Sequence, residues 1–424
     1  MWEKIQRIWK VKEIRNRIGY VLLLLIIFRI AAHIPVPGVN AENLRILFQS
    51  NEVLGLFNIF SGGAFENFSV VMLGVGPYIT ASIVLQLLTM IVPKLEEMSK
   101  EGEAGRKKIS QYTRYLAVPF AIAQSYGTIV LLQRSGAGVI GELDLFQWVM
   151  MVSSITAGTI FLMWLGELIS EKGIGNGISL LIFAGIIAGV PATIQQSVVN
   201  FNPSEATNLL IFAAIGIVTI AGVIFVTEGQ RNIPVAYARQ VRGGKSYGGV
   251  NSFLPLRVNQ TGVIPIIFAI SLVLFPSLIA QFLVGASNET IANAATSVVA
   301  LFNNQLFYGI VYFLLVVIFT YFYTAVVFKP EQIAENLQKQ GGFIPGIRPG
   351  KATEEYLQYV SNHILLAGAL FLGVIAVLPF IVQALTNLPS LVVGGTSLLI
   401  VVSVVVETVK QIESQLLLRD YDQF

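Results

Sequence analysis

Long apolar runs separated by short polar gaps set the pattern of this chain, and the length of the runs predicts its elements. Ten stretches, near 18–34, 70–92, 115–133, 147–169, 178–198, 208–227, 261–284, 305–328, 362–385 and 390–409, are apolar throughout. Each is close to the roughly 20 residues that a helix needs to cross a bilayer. None shows the short alternation of apolar and polar residues that marks a barrel strand. Lipid offers the backbone no hydrogen-bond partner, so runs of this kind predict an all-α polytopic membrane protein with ten transmembrane helices. A shorter apolar segment, 54–65, lies between the first two runs. At about a dozen residues it cannot span a bilayer, so it either re-enters the protein or lies at the membrane interface. Gly62 and Gly63 give it a hinge before the second span.

Charge placement orients the runs. Of the 27 Lys and Arg, all but Arg29, Arg45 and Arg134 fall in the N-terminal tail, in every second gap or in the C-terminal tail. The positive-inside rule then puts both termini in the cytosol. Composition agrees: 54% of residues are hydrophobic and 12% charged, against about 25% charged in soluble domains. The chain has no cysteine, which excludes disulfides, thiolate metal sites and cysteine nucleophiles. Residues 21–27 open a full span with no small-residue cleavage site after it, so no cleavable signal peptide is expected.

Ten spans divide into five and five, giving an N-terminal half over 1–200 and a C-terminal half over 201–424. If the halves arose by duplication, an odd span number forces the second to insert upside down, with a pathway at the interface between them. The residues show no repeat, so ten helices without internal symmetry remains the alternative at this point. Three gaps on the cytosolic side are substantial: 93–114, 228–260 and 329–361. The middle one carries Arg231, Arg239, Arg242, Lys245 and Arg257 against only Glu228. Its glycines, at 243, 244, 248 and 249, suit turns and a mobile tip. The tail 1–17 reads as an amphipathic helix lying along the cytosolic surface.

Few residues carry chemistry. His33 and His363 lie far apart in the chain, near span ends. Residues 243–246 end like a phosphate-binding loop, but its first glycine position is Arg239. Gly173 to Gly177 reads as the tight turn joining the fourth and fifth spans. Arg29, Glu167 and Glu407 lie within a few turns of span ends and read as snorkelling side chains. The membrane interior offers Gln86, Thr89, Gln124, Ser125, Thr156 and Gln383, which read as interhelical glue. No buried acidic chain points to a proton relay, which weakens a secondary transporter with inverted repeats, the alternative reading. No metal, cofactor or catalytic centre is implied.

Several motifs then point to one family. They include Pro35-Val-Pro-Gly-Val-Asn40, Gly76-Pro-Tyr-Ile-Thr-Ala-Ser82, Gly173-Ile-Gly-Asn-Gly-Ile-Ser179, Leu254-Pro-Leu-Arg-Val-Asn259 and Phe343-Ile-Pro-Gly-Ile-Arg-Pro-Gly350. In this order, across ten spans of matching polarity, the chain resembles the SecY family, the central subunits of the bacterial protein-conducting channel. The resemblance implies two inverted five-helix halves around an hourglass pore for unfolded secretory polypeptides in the bacterial cytoplasmic membrane. It implies an apolar waist at Ile79, Ile83, Ile182, Ile186, Ile267 and Ile400. Stiff, branched side chains make a narrow, dry collar that blocks ions by dewetting. It also implies a plug at 54–65, with Phe57, Phe60, Gly62 and Gly63. A lateral gate is implied between the second and third spans and the seventh and eighth, with Thr89, Gln124 and Phe275 along it. Through that gate signal sequences and membrane segments reach lipid.

The same resemblance makes the basic loops a docking site, through Arg239, Arg242, Lys245 and Arg348, for the motor ATPase SecA and for the ribosome with its RNA. It further implies SecE-like and SecG-like membrane subunits, and anionic lipids drawn to the positive charge. The family often carries adjacent basic residues where this chain has Arg231-Asn232 and Gly244-Lys245.

Overall fold

The computed structural model describes residues 10–39, 43–44, 61, 63–134, 138–141, 143–199, 206–237, 240–242, 245–247, 252–284, 288–386 and 392–422. The N-terminal half holds helices α1 (Lys12–Ala31), α2 (Gly76–Ile91), α3 (Pro93–Lys100), α4 (Glu103–Arg134), α5 (Leu145–Glu171) and α6 (Gly177–Val199). The C-terminal half opens with α7 (Ala206–Glu228) and strands β1 (Gln230–Tyr237), β2 (Gln240–Arg242), β3 (Lys245–Tyr247) and β4 (Ser252–Arg257). It continues with α8 (Ile264–Leu283), α9 (Glu289–Asn303), α10 (Gln305–Val327), α11 (Pro330–Lys339), β5 (Gly342–Phe343), α12 (Lys351–Thr386) and α13 (Val392–Asp422). Every apolar stretch of the sequence carries a helix. Four described segments, Glu103–Gln133, Leu145–Glu171, Gln305–Lys339 and Lys351–Val382, are long and apolar enough to cross a membrane, and α2 with α3 adds a fifth bent by 100°.

Local chemistry sets the helix boundaries. At the start of α6, Asn176 Oδ1 accepts from the Ile178 and Ser179 amides at 3.0 and 3.2 Å. Asn304 does the same for Leu306 and Phe307 at α10, and Asp144 with Gln147 forms a capping box at α5. Such caps satisfy amides with no partner inside the helix, each contributing about 1 kcal/mol. Helix α2 stops at Val92, which is extended (φ −97, ψ 111) because Pro93 follows it.

The helices pack as two groups. In the first, α2 lies on α4, α4 on α5, α5 on α6, and α1 against α5 and α6. In the second, α8 lies on α10, α10 on α12, α12 on α13, and α7 against α12 and α13. The groups meet along two seams, α8 against α2 and α4, and α13 against α6. Backbones approach closely between α5 and α6, where a Cβ added at Gly177 would fall 1.8 Å from the Gly166 carbonyl oxygen.

The cytosolic segments add detail to the expectations. Residues 12–17 of the tail run directly into the first span as one helix, α1, while residues 1–9 lie outside the described residues. The loop 228–260 is not a continuous helix: β1 pairs antiparallel with β4 from Gln230↔Arg257 to Val235↔Ser252, and the glycines at 243, 244, 248 and 249 lie outside the described residues. Much of the loop 329–361 is helical, and Thr353, Leu357, Val360 and Ser361 form one buried helix face. The bundle is all-α as expected, and the sheet stands outside it.

Replacing Gly177 with Ala should lower stability by about 1–3 kcal/mol, the usual cost of overpacking. Gly216→Ala, where nothing lies within 4 Å of the added Cβ, should be close to neutral. Thermal unfolding of the purified protein in detergent distinguishes the two.

Candidate functional site

The six isoleucines expected at the waist come from four helices. Ile79 and Ile83 lie on α2, Ile182 and Ile186 on α6, Ile267 on α8, and Ile400 on α13. All six are buried, with exposures from 8% for Ile79 down to 0% for Ile400, and they belong to one apolar cluster. The pairs on α2 and α6 are four residues apart, so each presents one helix face. Both helix groups therefore contribute to one extended buried apolar cluster, which also takes in residues of α1, α5, α7, α10 and α12.

Of the segment 54–65, Phe57, Phe60 and Gly62 lie outside the described residues. Its described end is buried: Ser61 at 4%, Ala64 at 0% and Phe65 at 4% exposure. Ala64 joins the cluster that holds the six isoleucines. Gly63 has φ +78, a conformation that side chains rarely adopt, so the turn there suits glycine. The Phe65 amide donates to Ser61 Oγ at 3.0 Å. This end of the segment sits inside protein, with its backbone polar groups turned on one another.

Helix α8 packs against α2 and α4 along one seam. Gln124 on α4 donates to Thr80 Oγ1 on α2 at 3.5 Å. Thr89 donates to the Gln86 carbonyl of its own helix at 2.6 Å. Thr80 and Thr89 are separated by about 13 Å of helix rise, so Gln124 and Thr89 line different levels of α2. The side chain of Phe275, on α8, lies outside the described residues. Two other interior polar groups do act as glue, since Ser125 Oγ and Thr156 Oγ1 meet at 3.5 Å between α4 and α5.

Among the docking residues, Arg239 lies outside the described residues, as do the side chains of Arg242 and Lys245 in β2 and β3. Arg348 is exposed in the turn before α12, where its carbonyl accepts from Thr353 Oγ1 at 2.9 Å. Sequence reasoning missed that the two large loops form one body. Strand β1 pairs with β4 on one side and with β5, from the other loop, on its other side through Ala236↔Phe343 and Tyr237↔Gly342. Beneath this sheet, Ile233, Leu256, Ile344, Leu357 and Val360 make a separate small core. The alternation of Ile233 and Val235 was the available signal, but the prolines and glycines around it masked a strand.

Glu167 also differs from expectation. It does not merely snorkel, since its carboxylate pairs with the Arg114 guanidinium on the neighbouring helix at 2.5 Å.

A family model described as SecY matches residues 69–409. The chain belongs to the SecY family. The protein translocase subunit SecY of Halalkalibacterium halodurans is 45% identical over 435 residues, covering 100% of both chains. Among solved structures, a protein-conducting channel shares the fold with a TM-score of 0.65 at 20% identity, over 93% of this chain and 91% of that one. Sec61 from a canine ribosome–channel complex of the endoplasmic reticulum does so with a TM-score of 0.61 at 19% identity, over 93% and 91%. With these relatives and its long apolar helices, the chain is a multi-pass membrane protein.

Replacing Ile233 with Asp puts an unpaired charge into the small core under the sheet. Limited proteolysis should then open the loops at 228–260 and 329–361 together while the apolar bundle stays protected. Cleavage confined to one loop would show that they do not fold as a unit.

Proposed function

We infer that this protein is the channel subunit of a protein translocase, a passive gated pore that conducts unfolded polypeptide and releases membrane segments sideways into lipid. The observation that supports this reading is that Ile79, Ile83, Ile182, Ile186, Ile267 and Ile400, from four helices of both groups, are all buried in one apolar cluster. An apolar constriction stops ions because water leaves a narrow hydrophobic neck, yet it holds no polar group that would bind a passing chain. A transporter with a midplane ion site would need polar ligands, and these six side chains offer none.

The remaining parts fit around that neck. The segment 54–65 is the plug, and its buried end at Ala64 is consistent with closure against the neck. The seam of α8 with α2 and α4 is the lateral gate. Its named polar groups are paired within their own helix group, so parting the seam breaks none of those bonds. The matching order of neighbours in the two groups supports an inverted duplication. The pair α2–α4 corresponds to α8–α10, α4–α5 to α10–α12, and α1–α5 to α7–α12.

The face carrying the sheet and both tails is the cytosolic face of the bacterial cytoplasmic membrane, as the Lys and Arg distribution argues. The sheet lobe is the docking platform for SecA or the ribosome, which supply the energy, and Sec61 of the canine complex is seen with a ribosome. SecE-like and SecG-like subunits complete the assembly in the membrane.

Ile83→Asn and Ile182→Asn each place an amide in the neck that can hold water. The resting ion leak of reconstituted proteoliposomes should rise several-fold, while Ile83→Val should leave it within about twofold. A photo-crosslinking amino acid at Ile83 should label a stalled secretory chain. Labelling of only lipid or neighbouring helices while the chain is in transit would remove the neck from the pathway.

A further inference from the structure

A β-sheet beside the entrance of a channel for unfolded chains meets a chemical difficulty. An unfolded polypeptide carries free backbone N–H and C=O groups, and an open strand edge binds such groups by adding a strand. The lobe has edges of this kind. Among the described residues the sheet runs β4-β1-β5, so β4 has a free edge, and β5 covers β1 only at Ala236 and Tyr237. The lobe also stands close to the neck helices. Strand β4 leads into α8 and Ile267 through a turn in which Asn259 Nδ2 donates to the Gly262 carbonyl at 3.2 Å. A Cβ built at Gly262 lies 3.7 Å from Glu407 Oε2 on α13, about two helical turns from Ile400.

The strand register shows what the edges offer. The Val258 amide donates to the Gly229 carbonyl at 2.8 Å, one step beyond the pair Gln230↔Arg257. Bonded and non-bonded pairs alternate along an antiparallel ladder. Ser252, Leu254 and Leu256 therefore turn their polar backbone groups toward β1, and Phe253, Pro255 and Arg257 turn theirs outward. The middle one of these outward positions is a proline, with no N–H to give and a ring where a partner's carbonyl would approach. On β1 the same alternation points Gln230, Asn232 and Pro234 away from β4, and again one of the three is a proline. Extending the β1–β5 register two residues beyond Ala236↔Phe343 would set Pro234 opposite Pro345, and neither can donate to prolong that ladder. Pro234 and Pro255 are both exposed.

We propose that Pro234 and Pro255 keep the lobe from holding the chain that the channel admits: each removes a donor from an outward edge position, so extended polypeptide slides past the sheet without adding a strand to it. The inference rests on the reading of the protein as a polypeptide channel. Edge prolines also keep copies of a protein from pairing with one another, but a chain in transit meets this sheet extended and at high effective concentration. Pro255 then helps to determine which passenger segments pass freely.

Proteoliposomes carrying the complete channel complex and its motor ATPase provide the test. Pro255→Val adds the missing N–H in a residue that suits a strand. A second variant carries at position 255 the 2-hydroxy acid analogue of valine, with the same side chain and an ester oxygen in place of the N–H. A photo-crosslinking amino acid at the exposed Phe253 reports contact with a stalled preprotein. A passenger rich in Val, Ile and Thr should cross Pro255→Val several-fold more slowly, with label at Phe253 raised several-fold. The 2-hydroxy acid should return both to within about twofold of the unaltered channel, and a passenger interrupted by prolines should pass Pro255→Val at the unaltered rate.

Unaltered transport of the Val-rich passenger through Pro255→Val would overturn the inference. Equal slowing by both variants would do the same, since the effect would then belong to side-chain shape. Label passing from Phe253 to a second copy of the channel, in place of the preprotein, would make self-pairing the event that the proline prevents and would also overturn it. The same crosslinker at Ile83 keeps the two readings apart. No label of the chain there removes the channel reading, whereas label there together with any of these outcomes removes the edge inference alone.

Discussion

A peptide group inside a bilayer finds no partner in lipid, and the rest of this architecture follows from that constraint. Each apolar stretch closes its hydrogen bonds within its own helix, so the spans can be built independently of one another. Pairing between helices then rests on shape and on a few polar contacts. Where α5 meets α6, Gly166 and Gly177 let backbones touch. Where α4 meets α5, Ser125 and Thr156 face each other, and Arg114 pairs with Glu167. Where helices from opposite halves meet, the shared feature is instead a buried apolar cluster that takes in Ile79, Ile83, Ile182, Ile186, Ile267 and Ile400.

That difference divides the molecule into rigid and separable parts. Contacts with backbone approach or hydrogen bonds fix geometry, whereas branched aliphatic side chains exclude water and part without leaving an unpaired polar group. A channel for polypeptide needs both kinds. Its walls must keep their shape while a chain passes, and its neck and gate must open and reseal. The sheet lobe extends the same logic outside the membrane, because a separate small core around Ile233 and Leu357 lets two distant loops present one surface.

Irregular backbone appears where function calls for it. Gly63 and the turn at Gly173 and Gly175 are held in left-handed conformations by their surroundings. One lies at the end of the segment 54–65 and the other where α5 turns into α6. Pro93 ends α2 and turns the chain by 100° out of the bundle. These residues set where helices begin and end, and none of them belongs to the large apolar cluster.

The apolar runs, the spacing of Lys and Arg and the turn residues were legible in the sequence, because span length, charge bias and glycine conformations are local properties. They were enough to mark ten stretches that each carry a helix and the turn at Gly173–Gly177. Six isoleucines could be singled out only through family motifs, since periodicity cannot tell a neck-lining isoleucine from a lipid-facing one. Tertiary structure alone decided that Arg114 answers Glu167, that Gln411 and Gln415 reach the α5–α6 turn, and that β1 joins both basic loops into one sheet. Each of these links residues distant in the chain, and such a pairing depends on how helices of similar composition pack, which no local pattern records.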